Sequence, residues 1–287
     1  MNPTRLRRSL SKRFLVAAGA LLVVVTHAGV TQVASIVAPA AGPCSRENTA
    51  RAIVANVDQN LDIALADGRL LTLAGLDPPR TTPERPRLAL EARDKLAQWL
   101  EGRDVAVRAL ADKPNRFGRI PARLFAAPPG ASPSASAGAE IGVAEAILDA
   151  GLARYRPDAA VHPCRDLLLA AEADARAGKI GLWADPYYAV LPGADRAAFA
   201  DARSGMVLVE GVAASLGETA VRFYLNFGAS RGDFAITLPK RAANGLEKAG
   251  MKVQDLVGKR LRVRGLLDKT FGPQIELSDP DGLERID

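Results

Sequence analysis

Between residues 51 and 75 the chain alternates apolar and polar side chains and interrupts the alternation twice, which limits the possible folds more than any other feature. Ile53 and Val54 lead to a polar break at Asp58-Gln59-Asn60. Leu61, Ile63 and Leu65 follow, then Asp67-Gly68, then Leu70, Leu71 and Leu73. A period of two is the spacing of a strand with one buried face, and Asp-Gly between two such runs supplies the positive-φ turn of a hairpin. Pro78 and Pro79 then remove two backbone donors and end the pairing. The folded part of the chain therefore starts as antiparallel β-structure.

A Pro/Thr/Arg-rich loop runs from there to Arg87. Helical spacing over 88–100 offers Leu90, Ala92, Leu96 and Leu100 to one face, with Gly102 as the stop. Val105 and Val107 predict one strand and residues 122–126 another. Residues 128–138, rich in Ala, Ser, Pro and Gly, read as a surface insertion. Helices follow at 142–150 and 165–177, closed by Gly178 and Gly181-Leu182-Trp183. A proline-punctuated connector at 186–203 precedes a second unit, 204–287. Five strand-like stretches (207–212, 221–227, 233–238, 259–267 and 273–277) and one helix (241–249) suit a small OB-like, β-rich domain. The fold class expected is mainly β with α, and the organisation is 1–42, 43–185, 186–203 and 204–287.

The charge balance argues about partners. The formal net charge is +6, but Arg5, Arg7, Arg8, Lys12 and Arg13 account for five of those charges, and residues 1–41 contain no acid. The rest of the chain is close to neutral, so net charge gives no support to nucleic-acid binding, which draws most of its non-specific affinity from neutralising phosphates. The basic stretch precedes an apolar run, FLVAAGALLVVV at 14–25, and an Ala/Pro-rich tail to Gly42. This is the pattern of a secretory signal. The apolar run is shorter than the ~20 residues that cross a bilayer. Extended through residues 14–39, it reads instead as an uncleaved membrane anchor. Arg7-Arg8 also resembles a twin-arginine signal. Either way the expectation is an exported protein, periplasmic, extracellular or membrane-anchored.

The two cysteines, Cys44 and Cys164, both lie beyond this segment. In an oxidising compartment the pair reads as one disulfide, the alternative being two buried free thiols. The histidine count argues against a zinc site, since only His27 and His162 occur and His27 lies in the signal.

Four pieces in order carry a resemblance: the strand–turn–strand of 51–73, Leu73-Ala74-Gly75-Leu76-Asp77-Pro78-Pro79, Asn115-Arg116-Phe117-Gly118-Arg119, and a closing stretch from Gly151-Leu152-Ala153-Arg154-Tyr155 through Cys164 and Glu172 to Gly181-Leu182-Trp183-Ala184. Over about residues 50–185 the chain resembles the thermonuclease (staphylococcal-nuclease-like) family. The resemblance implies a five-stranded OB barrel with helices packed on it. It also implies phosphodiester cleavage with Ca²⁺, two arginines on the phosphate, and a glutamate that activates water. A dianionic pentacovalent centre has to be neutralised and its attacking water deprotonated.

Carried over position by position, most of that site is missing. The family's DGDT segment falls on Asp58-Gln59-Asn60-Leu61, so Asn60 replaces a metal carboxylate, with one residue inserted near Asp62. The first phosphate arginine falls on Thr72, and the general-base glutamate on Arg80. Asp77 keeps the position of the metal-binding aspartate and Arg119 that of the second phosphate arginine. Asp62 and Glu84 are the candidates to compensate, although alternation places Asp62 beside outward-facing positions, and Arg69, three positions from Thr72, points to the opposite face. Tyr155 and Arg156 read either as solvent-rim residues or as ligand contacts. The expectation is a catalytically inactive binding or structural module, a pseudoenzyme with no cofactor. The alternative is a divalent-metal nuclease with a rearranged site that takes Ca²⁺. In the second unit Arg222, Tyr224 and Asn226 share the outer face of a strand, a mix able to stack on and hydrogen-bond a base or sugar. That stretch resembles the C-terminal extension of some exported thermonuclease-like proteins. The partner stays open between nucleic acid, a glycan and an envelope protein, with membrane contact only through residues 14–39.

Overall fold

The computed structural model describes residues 44–131, 140–200, 205–230 and 232–286. Residues 1–42, expected to be a signal or anchor, and most of the 128–138 insertion lie outside the described residues. The first unit runs β1 (Ala50–Val57), β2 (Ile63–Leu65), β3 (Leu70–Leu73), β4 (Leu76–Asp77), α1 (Leu88–Leu100), β5 (Asp104–Ala109), β6 (Ile120–Ala126), β7 (Ile141–Gly142), α2 (Val143–Asp149), β8 (Arg154–Tyr155) and α3 (Arg165–Ala177). Its main sheet has the order β3-β2-β1-β5-β6-β7, and a parallel pairing of β3 with β6 closes the first five strands into a barrel.

The barrel interior explains a departure from strict alternation. Val54 and Val57 are both fully buried although three residues apart, and the register of β1 against β2 shifts between Val54 and Asn56. A bulge inserts one residue, so an odd spacing returns to the same face. Ile53, on the other side of Val54, is exposed. Helix α1 seals the barrel with Ala92, Leu96 and Leu100, while Leu88 at its start packs beside Tyr188 and Leu208. The expected Leu90 is instead exposed, because two residues from Leu88 is ~200° around a helix and four residues is a near-complete turn.

The second unit contains β9 (Leu191–Pro192), β10 (Met206–Val212), β11 (Ser215–Glu218), β12 (Arg222–Asn226), β13 (Ala235–Pro239), α4 (Lys240–Lys248), β14 (Arg260–Asp268), β15 (Gln274–Glu276) and β16 (Leu283–Arg285). It is β-rich as expected, with eight strands in place of five. The order is β11-β12-β13-β15-β14-β10-β9, with β16 on β14. Phe234, Ile236, Leu261, Val263 and Ile275 fill its core.

The connector expected at 186–203 is built into this packing through its described part. Tyr188 and Phe199 are buried, Leu191–Pro192 pairs parallel with β10, and Phe199 stacks on Phe234 with centroids 5.1 Å apart. Proline punctuation marked the absence of regular structure, but two aromatics in the segment had apolar area to bury. The units share no sheet, yet Leu88, Ala175, Leu182, Trp183 and Tyr188 form one buried cluster with Leu208 of β10. Cys44 and Cys164 are bonded, their Cα atoms 5.4 Å apart, which ties the start of the described chain to the foot of α3.

Candidate functional site

A pocket of about 390 Å³ opens at one end of the barrel, lined by Asn60, Leu61, Asp62, Thr72, Leu73, Leu76, Pro78, Asn115, Phe117, Arg119 and Arg156. Two tight turns build it. In the first, Asp58 Oδ1 accepts from the backbone N–H of Asn60 at 2.8 Å and of Asp62 at 2.9 Å, and Leu61 takes a positive φ of 61°. That αL residue rotates the chain and breaks the alternation. Asp62 consequently points into the pocket wall, 5% exposed, not outward as alternation predicts. In the second turn Asn115 Oδ1 accepts from the N–H of Phe117 (2.9 Å) and Arg119 (3.1 Å). Gly118 there has φ 76° with open space around it, so backbone conformation is what requires glycine.

These turns bring Arg119 onto Asp62 as an ion pair, with Arg119 Nη2 3.8 Å from Asp58 Oδ2. The Thr72 hydroxyl donates to Asp62 as well. Burial raises the Asp62 carboxyl above its ordinary range, against the opposing pull of Thr72 and the Arg119 charge. At the mouth, Phe117 is exposed with the Arg116 guanidinium 4.7 Å from its ring centroid. Arg156 also lines the pocket, and its side chain has no ion-pair partner among the described residues.

The remaining sequence candidates are elsewhere. Asp77 does not line the pocket; its Oδ2 accepts from Arg154 Nη2 at 2.7 Å. Arg80 sits outside too, its N–H donating to Tyr188 Oη at 2.6 Å and its guanidinium lying against Gly205. Glu84 is exposed and absent from the lining, and Arg69 pairs with Asp67 at 2.7 Å. Tyr155 is fully buried; burial and the nearby Asp281 push its phenol well above the ordinary range. Only Arg156 of the Tyr155-Arg156 pair is therefore at the rim. On β12, Arg222 pairs with Glu276 at 2.9 Å and Asn226 Nδ2 donates to Ser215 Oγ at 3.1 Å, with Tyr224 half-buried between them.

Calcium demands about 6–8 oxygen ligands, several of them carboxylate. The residues present do not fit it. Asp62 and Asp77 are each committed to an arginine, and no group of three His, Cys, Asp or Glu side chains suited to a metal occurs among the described residues. Asp62 is a sequence candidate, but its inward orientation escapes the alternation because it depends on one positive φ at Leu61, a conformation leucine rarely adopts. Arg156 is also a sequence candidate, read as a rim residue or a ligand contact beside Tyr155.

Residues 70–185 match the family model described as Staphylococcal nuclease homologue. The match starts at β3, leaving the turn at 58–62 outside it. A comparison with curated proteins gives no match.

Proposed function

Since the first unit, matched over residues 70–185 and closed as a five-stranded barrel, is a thermonuclease-like OB fold, we propose that this chain is an exported pseudoenzyme, a catalytically silent binding or structural module of the cell envelope. One observation carries the reading: the surviving metal aspartate and the candidate replacement are both held by arginines, Asp77 by Arg154 and Asp62 by Arg119. Thr72 and Arg80 stand where an arginine and a glutamate would act. Loss of a phosphate clamp, a metal carboxylate and a general base each lowers rate on the order of 10²–10⁴. Arg119 is left with a negative neighbour, so it adds little net attraction for a phosphate. Arg156 and the Arg116–Phe117 platform still offer a cationic, flat-faced mouth to an anionic group on a glycan or protein. Export is supported by the basic and apolar N-terminal pattern and by the Cys44–Cys164 disulfide.

The test is cleavage of single- and double-stranded DNA and RNA with excess Ca²⁺, then Mg²⁺ and Mn²⁺. Activity at the background of a no-protein control is expected in every combination. Metal-dependent cleavage abolished by Arg119→Ala would overturn the reading. The second reading is a nuclease with a rearranged site in which Asp62, turned into the pocket wall by the positive φ of Leu61, replaces the lost carboxylate. Asp62→Asn decides it: loss of a measurable cleavage rate selects that alternative.

A further inference from the structure

We infer that Asp77 is one half of a clasp between the two units and not a metal ligand, and that Arg154 is the positioning residue that holds it there. β4 and β8 pair antiparallel with Asp77 opposite Arg154. Arg154 Nη2 donates both to Asp77 Oδ2 at 2.7 Å and to the Met206 carbonyl of β10 at 2.9 Å. The same guanidinium lies 4.8 Å from the centroid of the Tyr188 ring. One guanidinium, its side chain 5% exposed, thus joins β4 of the first unit to β10 of the second.

The neighbouring residue is gripped in the same way. Arg264 of β14 donates from Nη1 to the Tyr155 carbonyl at 3.1 Å and lies 5.1 Å from the Tyr155 ring centroid. The Tyr155 N–H donates to Glu172 Oε1 at 2.8 Å, and Glu172 in turn pairs with Arg264. Both residues of β8 are therefore fixed from the second unit, and β8 in turn fixes β4.

The clasp also sets the pocket wall. Leu76 and Pro78 flank Asp77, Arg156 follows Tyr155, and all three line the pocket. For Asp77 to turn its oxygens to a cation, Arg154 would be left buried and charged without a carboxylate, which is strongly unfavourable. The inference rests on the reading of the pocket as metal-free, and one experiment separates the two.

Thermal unfolding of the full chain is followed with and without excess Ca²⁺ for wild type, Asp77→Asn, Arg154→Met and the double variant Asp77→Leu/Arg154→Met. Asp77→Asn is expected to unfold about 10 °C lower, to the same extent with and without Ca²⁺. The double variant is expected to recover most of that loss, because no charge is stranded, whereas a lost metal ligand would not be restored this way. Protease cleavage between the units should rise in Asp77→Asn and fall back in the double variant. Asp77→Asn melting at the wild-type temperature overturns the clasp and leaves catalytic silence standing. A Ca²⁺-induced rise in wild type that vanishes in Asp77→Asn overturns both. If Asp77→Asn does not fold, a double variant no more stable than Arg154→Met overturns the clasp by itself.

Discussion

An Arg264→Met variant is expected to unfold about 10 °C below the wild-type protein, a loss of about 3–5 kcal/mol. Arg264 is 3% exposed and Glu172 is fully buried; they meet at 2.8 Å, and Arg264 Nη2 reaches Glu284 at 2.7 Å. A buried pair of this kind contributes little relative to a hydrophobic replacement of both partners, but removing one partner strands the other's charge in a low-dielectric interior. Glu172 retains Arg176 at 3.1 Å and the Tyr155 N–H, which moderates the loss without cancelling it. Glu172→Leu added to Arg264→Met should recover part of the stability. Calorimetry or circular dichroism on wild type and the two variants checks the order, and equal melting temperatures for Arg264→Met and wild type would show that this network does not hold the units.

The same network fixes an acid limb. Burial works to raise the Glu284 carboxyl, but the charges of Arg264 and Arg262 more than offset it and hold the folded group below its ordinary value. A depressed carboxyl stabilises the fold above its unfolded pKa of about 4.3, and that contribution is lost as pH falls through the folded value. Asp62 and Asp281 act in the opposite sense. Burial raises them, so what they contribute is present below about pH 3.9 and lost as pH rises through their folded values. Removing Arg264 should therefore move the onset of acid unfolding to higher pH.

What the sequence made legible is what local chemistry decides. The alternation of 51–73 with its Asp-Gly turn became β1–β3, the 3.6-residue period at 165–177 became α3 with both ends as expected, and two lone cysteines met. Elements whose existence depends on a partner were not visible. β11 has one apolar residue in Ser-Leu-Gly-Glu and forms because β12 offers it a free edge. β4 and β8 are two residues each and exist through one another. The site failed for the same reason. Asp62 and Asp77 are both aspartates in extended segments; a single αL residue turns one into the pocket, and a guanidinium held by the other unit keeps the second away from it. Those are long-range facts, and alternation carries no information about them.

Reducing or deleting the Cys44–Cys164 bond is expected to lower stability by about 4–5 kcal/mol, the largest single effect anticipated here. The bond joins residues 120 apart, so its absence frees a long loop in the unfolded chain. In the folded state arginine contacts hold the N-terminal strap as well. Arg123 Nη2 donates to the Cys44 carbonyl at 3.4 Å and Arg108 Nη1 to the Ser45 carbonyl at 3.3 Å. Arg46 and Arg51 each pair with Glu140, both arginines well exposed and the Glu140 side chain buried. Because the effect acts mainly on the unfolded chain, it has a signature that a packing defect lacks. The Cys44→Ser/Cys164→Ser variant should show a larger dependence of stability on denaturant concentration as well as a lower midpoint, since the uncrosslinked unfolded chain exposes more surface. Intact mass before and after reductant should differ by two hydrogens. A variant with the wild-type midpoint and slope, or a protein that gains no mass on reduction, would remove the bond from the account of stability.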